Sequence, residues 1–277
     1  MTATVKNKKI NALVLCGYGL NCDIETAHAI ELAGANARRV HINSVIDGSV
    51  NLSDFQLMVF VGGFSWGDDH GAGVIQAVRM KKNAGDKILR FVDAGNLVLG
   101  ICNGFQTLVN LGLLPGFDAN YQDRSVALTF NDCGNFRDDW VHLQVNDKTP
   151  CVFTQGLTHM ELPIRHGEGK FVAADDVISR LVSQNQVVCR YAGPDSIPAE
   201  GRFPDNPNGS MDDIAGICDP TGRIFGLMPH PEAFNHPTNH PDWQRIRERS
   251  KRGLSLPEDS LDTGIRLFEN ALNYLRQ

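Results

Sequence analysis

Four short apolar runs, each the length of a buried strand and each passing into glycine or a helical pattern, restrict most strongly what this 277-residue chain can fold into. Ile10-Asn-Ala-Leu-Val-Leu-Cys16 runs into Gly17-Tyr-Gly19 and then into a predicted helix over about Asp23 to Ala33. Ile24, Ala27, Ile30 and Leu32 are its apolar stripe, and Gly34 is placed to stop it. Ala37–Ile42 reads as a second strand. Phe55–Val61 reads as a third, entering Gly62-Gly-Phe-Ser-Trp-Gly67. Leu97–Ile101 is a fourth, ending at Cys102 before the helical Phe105–Leu111. Strands alternating with helices imply an α/β fold, with a mostly parallel sheet covered on both faces.

The second half changes character. Candidate strands near Val126–Phe130, Val141–Val145, Val187–Tyr191, Ile214–Cys218 and Ile224–Met228 are joined by short turns such as Asp219-Pro-Thr-Gly222. They are expected to be antiparallel additions to the same sheet. No repeat or Ser/Pro-rich linker divides the chain, so a single domain over residues 1–277 is expected, with a C-terminal extension and helix over about 234–277. In that tail Leu261, Ile265, Phe268, Leu272 and Leu275 recur at helical spacing from Asp259 onward, which predicts an amphipathic helix docked on the body.

Composition narrows the class of function. With 42% hydrophobic and 21% charged residues the chain should build a core, and 26 Lys+Arg against 32 Asp+Glu leave a net charge of −6. That balance disfavours a phosphate-backbone partner, so no nucleic acid is expected. No apolar stretch approaches the ~18 residues of a membrane span, and Met1–Lys9 is polar where a signal peptide needs an apolar segment. A cytoplasmic protein without a membrane partner is expected. The 7 cysteines include no C-x-x-C pair, which points away from a disulfide framework or a thiolate zinc site.

One cysteine stands apart. Gly100-Ile-Cys-Asn-Gly104 lies between strand and helix in the G-x-nucleophile-x-G arrangement, whose glycines permit a tight turn around a projecting side chain. A helix N-terminus there favours a thiolate at Cys102, and the backbone N–H of Asn103 is placed to bind an oxyanion. Taken alone, the pentapeptide also fits a core cysteine among packing glycines. A thiol nucleophile needs a base and the base an orienter, and Pro229-His-Pro-Glu232 offers His230 and Glu232 at the end of the last predicted strand. In an extended chain these two side chains point the same way, so Glu232 can hold one imidazole nitrogen while the other faces Cys102. Gly62, Gly63 and Phe64 close a third strand end, where small residues let backbone N–H groups approach developing negative charge. Strand ends meeting along one sheet edge agree with ligand placement in α/β folds.

Together these motifs carry a resemblance. Gly100-Ile-Cys-Asn-Gly-Phe-Gln106, Gly62-Gly-Phe-Ser-Trp-Gly-Asp68, Arg165-His-Gly-Glu-Gly-Lys-Phe171, Asn206-Pro-Asn-Gly-Ser210 and Gly226-Leu-Met-Pro-His-Pro-Glu232 resemble, from about residue 10 to 235, the class I (triad) glutamine amidotransferases. Within them the chain is similar to the family of glutaminase subunits of phosphoribosylformylglycinamidine synthase. The resemblance implies a flavodoxin-like α/β sheet with a parallel core and hydrolysis of glutamine through a Cys102 thioester. His230 and Glu232 complete the triad, Gly63 and Asn103 serve the oxyanion, and Gln106 lies against the substrate. It further implies that ammonia passes through a channel to a synthetase subunit, which uses ATP to make formylglycinamidine ribonucleotide in purine biosynthesis, and that a small assembly subunit takes part. ATP and magnesium would sit on the synthetase, with no cofactor or metal in this chain. A Walker-type G-x-x-x-x-G-K-[ST] loop is indeed missing from the sequence. The chain departs from the family pattern at Ala233 and Asp139, each where an arginine is usual, and in the long segment from Phe234 to Pro257.

Other readings compete with the enzyme. A different thiol hydrolase or amidotransferase of the same fold would need another set of strand ends, and a non-catalytic assembly subunit would not need Cys102, His230 and Glu232 together. His236 and His240 are each followed by proline, which argues against a helical metal site. The basic residues between Arg245 and Arg252 read as a solvated face or as a docking site for an acidic surface. Asp68 and Asp69 read as capping and dipole partners of a following helix.

Overall fold

The computed structural model describes residues 9–254 and 263–277. Its first half holds β1 (Asn11–Cys16), α1 (Asp23–Leu32), β2 (Asn36–His41), α2 (Ile42–Ile46), β3 (Leu57–Phe60), α3 (Val74–Asp93), β4 (Leu97–Ile101) and α4 (Asn103–Leu111). There follow β5 (Val126–Thr129), β6 (Arg137–Val145), β7 (His159–His166), β8 (Lys170–Ala173), α5 (Asp175–Ser183) and β9 (Val187–Ala192). The chain ends with β10 (Ile214–Cys218), β11 (Ile224–Leu227), α6 (Trp243–Lys251) and α7 (Ile265–Arg276).

The main sheet runs in the order β2-β1-β3-β4-β11-β10-β9-β6-β7. The first five strands are parallel. From β11 outward each pairing is antiparallel. The step from β1 to β2 runs opposite to the step from β3 to β4, so right-handed crossovers put α1 and α3 on opposite faces. The reversal at β1 and β3 is a topological switch point, and the carboxyl ends of β1, β3, β4 and β11 open beside it. Strands buried on both faces account for the unbroken apolar runs: Leu57–Phe60 and Leu97–Ile101 are inaccessible throughout.

Three expectations need correction. The strand at 224–228 is not an antiparallel addition, because β11 pairs in parallel with β4 and completes the parallel core. The strand at 126–130 leaves the main sheet and pairs with β8 in a separate two-stranded ribbon. In α1 the buried face is Thr26, Ala29 and Ile30, one i, i+3, i+4 stripe, whereas Ile24 and Leu32 stand exposed at 66% and 51%. The sequence reading also passed over α3, whose buried Ala77, Met80, Ala84, Ile88 and Phe91 follow the helical period between charged residues.

The tail docks as expected over its described part. Ile265, Phe268 and Leu272 are buried, while the stretch of the predicted helix before residue 263, with Leu261, lies outside the described residues. The start of α7 abuts the turn that follows β11: Gly264 N donates to Phe234 O at 2.8 Å. In β6, beside the edge strand β7, Asp139 pairs with Arg137 at 3.2 Å and accepts from Trp140 N at 2.9 Å.

Candidate functional site

Cys102 stands between β4 and α4 with φ +50° and ψ −107°, a conformation that costs a side-chain-bearing residue about 1–3 kcal/mol. The strain is held from both sides: Cys102 N donates to Leu227 O of β11 at 2.8 Å, and Cys102 O accepts from Gln106 N at 3.1 Å. Gly104 lets the elbow close, since a Cβ there would meet Phe60 O at 1.8 Å. The turn therefore projects the thiol at the N-terminus of α4, where early backbone N–H groups lack helical partners.

His230 reaches the same point from the end of β11. Its Nδ1 lies 2.7 Å from Glu232 Oε1, and both side chains are sealed from solvent. An extended strand does not make this contact. His230 instead caps a 3-10 turn over Pro231–Ala233, whose tight winding brings Glu232 back onto the ring. The carboxylate can only accept, so Nδ1 carries the proton, and the buried Nε2, which has no hydrogen-bond partner among the described residues, is left for the Cys102 thiol that acts on the ring. Burial disfavours the charged ring, but the Glu232 carboxylate and then the Cys102 and Cys22 thiols hold its pKa well above the ordinary imidazole value.

Gly62 presses on the ring, and Gly63 and Phe64 line a cleft of about 560 Å³ together with Cys22, Phe136, Arg165 and His230. The backbone here is tied to the β1 end by Phe64 N donating to Gly19 O at 2.9 Å. Asn103 and Gln106 are buried in the first turn of α4. Asn103 Nδ2 donates to Asp68 Oδ1 at 3.1 Å and to Gln106 Oε1 at 3.5 Å, and Gln106 Nε2 donates to Glu168 O. Asp68 is thus no helix cap, since Gly73 precedes α3 and offers no side chain. Burial and the Glu168 charge push its carboxyl up to about 6, with Asn103 acting the other way.

The Arg165–Phe171 and Asn206–Ser210 motifs meet in one buried network. His166 Nδ1 pairs with Asn131 Oδ1 at 3.1 Å, Gly169 N donates to the same oxygen at 3.0 Å, and Asn208 Nδ2 donates to Gly169 O at 2.9 Å. Ser210 Oγ closes the knot by accepting from Phe171 N at 3.0 Å. Burial, aided by the nearby His230 charge, pushes His166 down to about 3. This network fixes the end of β7, whose Arg165 O accepts from Cys102 Sγ at 3.6 Å.

The sequence reading missed Cys22. Its Sγ lies 4.0 Å from His230 Nδ1, on the side away from Nε2. Burial pushes this thiol up to about 11 against the lowering effect of His230. The available signal was its place just after β1, at the edge where the other strand ends meet. The two histidines weighed as metal ligands take separate partners: His236 Nδ1 accepts from Thr238 N at 3.2 Å, and His240 Nε2 lies 3.1 Å from Glu161 Oε1.

The CobB/CobQ-like glutamine amidotransferase domain family matches residues 9–275. The phosphoribosylformylglycinamidine synthase subunit PurQ of Methanococcus maripaludis (strain S2) is 43% identical over 265 residues, covering 96% of this chain and 97% of that protein. The subunit of the same name from Dehalococcoides mccartyi is 44% identical over 269 residues, covering 97% and 99%. Among solved structures, a chain of PurLQS from Thermotoga maritima aligns with a TM-score of 0.68 at 30% identity, covering 96% of this chain and 99% of that one.

Proposed function

The chain belongs to the CobB/CobQ-like glutamine amidotransferases and, within them, to the PurQ subunits of phosphoribosylformylglycinamidine synthase, and from that premise we propose how its residues release ammonia from glutamine. The observation that carries the reading is a strained Cys102 elbow facing a histidine whose far nitrogen is held by Glu232 at 2.7 Å. His230 takes the Cys102 proton as sulfur attacks the side-chain amide carbon, and the backbone N–H groups of Asn103 and Gly63 receive the oxyanion. Collapse of the tetrahedral adduct breaks the C–N bond, with His230 giving its proton to the departing ammonia. Water then attacks the thioester with His230 as base, so one glutamine and one water yield one glutamate and one ammonia. Glu232 holds Nδ1 at 2.7 Å and supports the imidazolium.

Of the two thiols beside His230, Cys102 is the nucleophile. It faces Nε2 at a helix N-terminus, whereas Cys22 meets the nitrogen already engaged by Glu232 and is pushed up to about 11. Gln106 and Phe64 contact the glutamine. The ammonia goes to a synthetase of the PurL kind, in a complex that also holds a PurS-type subunit, an assembly of the PurLQS kind known from Thermotoga maritima. ATP and magnesium belong to that partner, and the chain acts as one amidotransferase domain in the cytoplasm. Among the described residues no helix is long and apolar enough to cross a membrane.

The test is glutamate release by the complex assembled with the synthetase and small subunits, ATP and the ribonucleotide. Cys102→Ala should abolish glutamine-dependent turnover while ammonia-dependent turnover persists, and Cys22→Ala should retain the glutamine-dependent reaction. If Cys102→Ala leaves glutamine use intact, the assignment of the nucleophile falls.

A further inference from the structure

Cys22, His230 and Glu232 come from opposite ends of the chain, yet one ligand atom of each lies within 4.8 Å of the others, and all three residues are buried. Glu232 Oε2 has no hydrogen-bond partner among the described residues although it is inaccessible to water. A thiol, an imidazole nitrogen and an unsatisfied carboxylate oxygen at this spacing form a borderline-soft donor set suited to a tetrahedral ion. The cleft lined by Cys22 and His230 leads to it, and Asn21 Oδ1, accepting from Cys22 Sγ at 3.7 Å, stands at the same wall.

We propose that Cys22 Sγ, His230 Nδ1 and Glu232 form an inhibitory site for a thiophilic divalent cation of the zinc class. The inference rests on the reading of His230 as the catalytic base. The ion replaces the proton that now lies between Nδ1 and Glu232, and a water from the cleft or Asn21 completes the coordination. That proton moves to Nε2 if the ring was neutral, Cys22 releases its own to solvent, and a ring that was protonated releases one more. Thiolate, carboxylate and dication then sum to zero charge, as a buried site requires. With its proton on Nε2 and the metal on Nδ1, His230 can no longer accept from Cys102. The protein therefore folds as before while the hydrolysis stops.

Cobalt(II) serves as the spectroscopic probe and zinc(II) as the inhibitor, in the assembled complex and in a Cys133→Ser background that removes an exposed thiol. Cobalt should give a thiolate-to-metal charge-transfer band that survives Cys102→Ser and disappears in Cys22→Ser and Cys22→Ala. Zinc should suppress glutamate release reversibly, and Cys22→Ser should raise the zinc needed for half-inhibition at least about tenfold relative to each variant's own metal-free rate. A band that survives both Cys22 variants, or one lost with Cys102→Ser, overturns the site, as does no band in an active complex. A complex that shows the Cys22-dependent band but never hydrolyses glutamine keeps the metal site and overturns the functional reading instead.

Discussion

Gly62 and His230 are in a contact that only glycine permits: a Cβ at Gly62 would stand 2.6 Å from His230 Cε1 and 3.1 Å from Cys22 Sγ. The end of β3 thus sets where the imidazole can lie. Gly62→Ala should leave the sheet intact, because the obstruction is side-chain rather than backbone, and should push the ring off the line to Cys102. A displacement of about 1 Å at a reacting group costs on the order of 100-fold in rate. Glutamate release should fall by about that factor with little change in melting temperature, and an unchanged rate would show that the ring has room to move.

The Glu232 carboxylate does two things to His230: it fixes which nitrogen carries the proton, and it is the largest influence raising the ring's pKa. Glu232→Gln keeps the shape and can present its amide nitrogen to Nδ1, reversing the tautomer. By analogy with the Asp-to-Asn change in a serine protease triad, kcat should drop on the order of 10⁴-fold, with KM for glutamine nearly unchanged. The pH–rate limb belonging to the imidazole should move to lower pH, since the carboxylate that favoured the charged ring is gone. Steady-state rates over a pH series measure both effects.

Asp68 makes stability depend on pH in a calculable direction. Its carboxyl is pushed up to about 6 in the folded chain from an ordinary 3.8, chiefly by burial and then by Glu168. Folding therefore favours the protonated acid. That contribution is complete below pH ~4 and is lost as pH rises through ~6. Asp68→Asn removes the ionisation and keeps a hydrogen-bonding group next to Asn103. Allowing for solvent screening of a half-buried group, the variant should gain about 1 kcal/mol at pH 8, roughly 2–4 °C in melting temperature, and nothing at pH 4. A gain of the same size at both pH values would contradict the assignment.

What could be read in the sequence was whatever is encoded locally. The bounds of β4 and β10, the Cys102 elbow and the His230–Glu232 pair each lie within a few residues, where glycine, proline and strand propensity act directly. The pairing of β5 with β8 and the parallel seam between β4 and β11 depend on partners distant in sequence, and periodicity carries no information about partners. Cys22 reaches His230 across 208 positions, so nothing near either residue announces the contact. Asp68 looked like a cap because capping is what an acidic residue before a helix usually does. Here the turn over Ser65–Asp68 bends at Trp66 and Gly67, both with positive φ, and carries the carboxylate to Asn103 instead. The Glu232 contact was expected for the wrong geometric reason, an extended chain in place of a 3-10 turn.

Two glycine-to-alanine changes should have opposite signs. Gly104 lies in the first turn of α4 with its Cα against β3, and a Cβ would fall 1.8 Å from Phe60 O and 2.4 Å from Phe60 C, atoms of a fully buried strand that cannot yield. Gly104→Ala must lift α4 from the sheet or distort β3. Overpacking of that kind costs about 3 kcal/mol or more, and the elbow at Cys102 moves with the helix. Gly85 lies within α3, where a Cβ would meet nothing within 4 Å. Gly85→Ala adds no clash and restricts the unfolded backbone, so it should stabilise by about 0.5–1 kcal/mol. Chemical denaturation of the two variants in parallel tests the pair. A Gly104→Ala protein that melts and hydrolyses glutamine like the parent would mean that the elbow does not depend on close packing of α4 against β3.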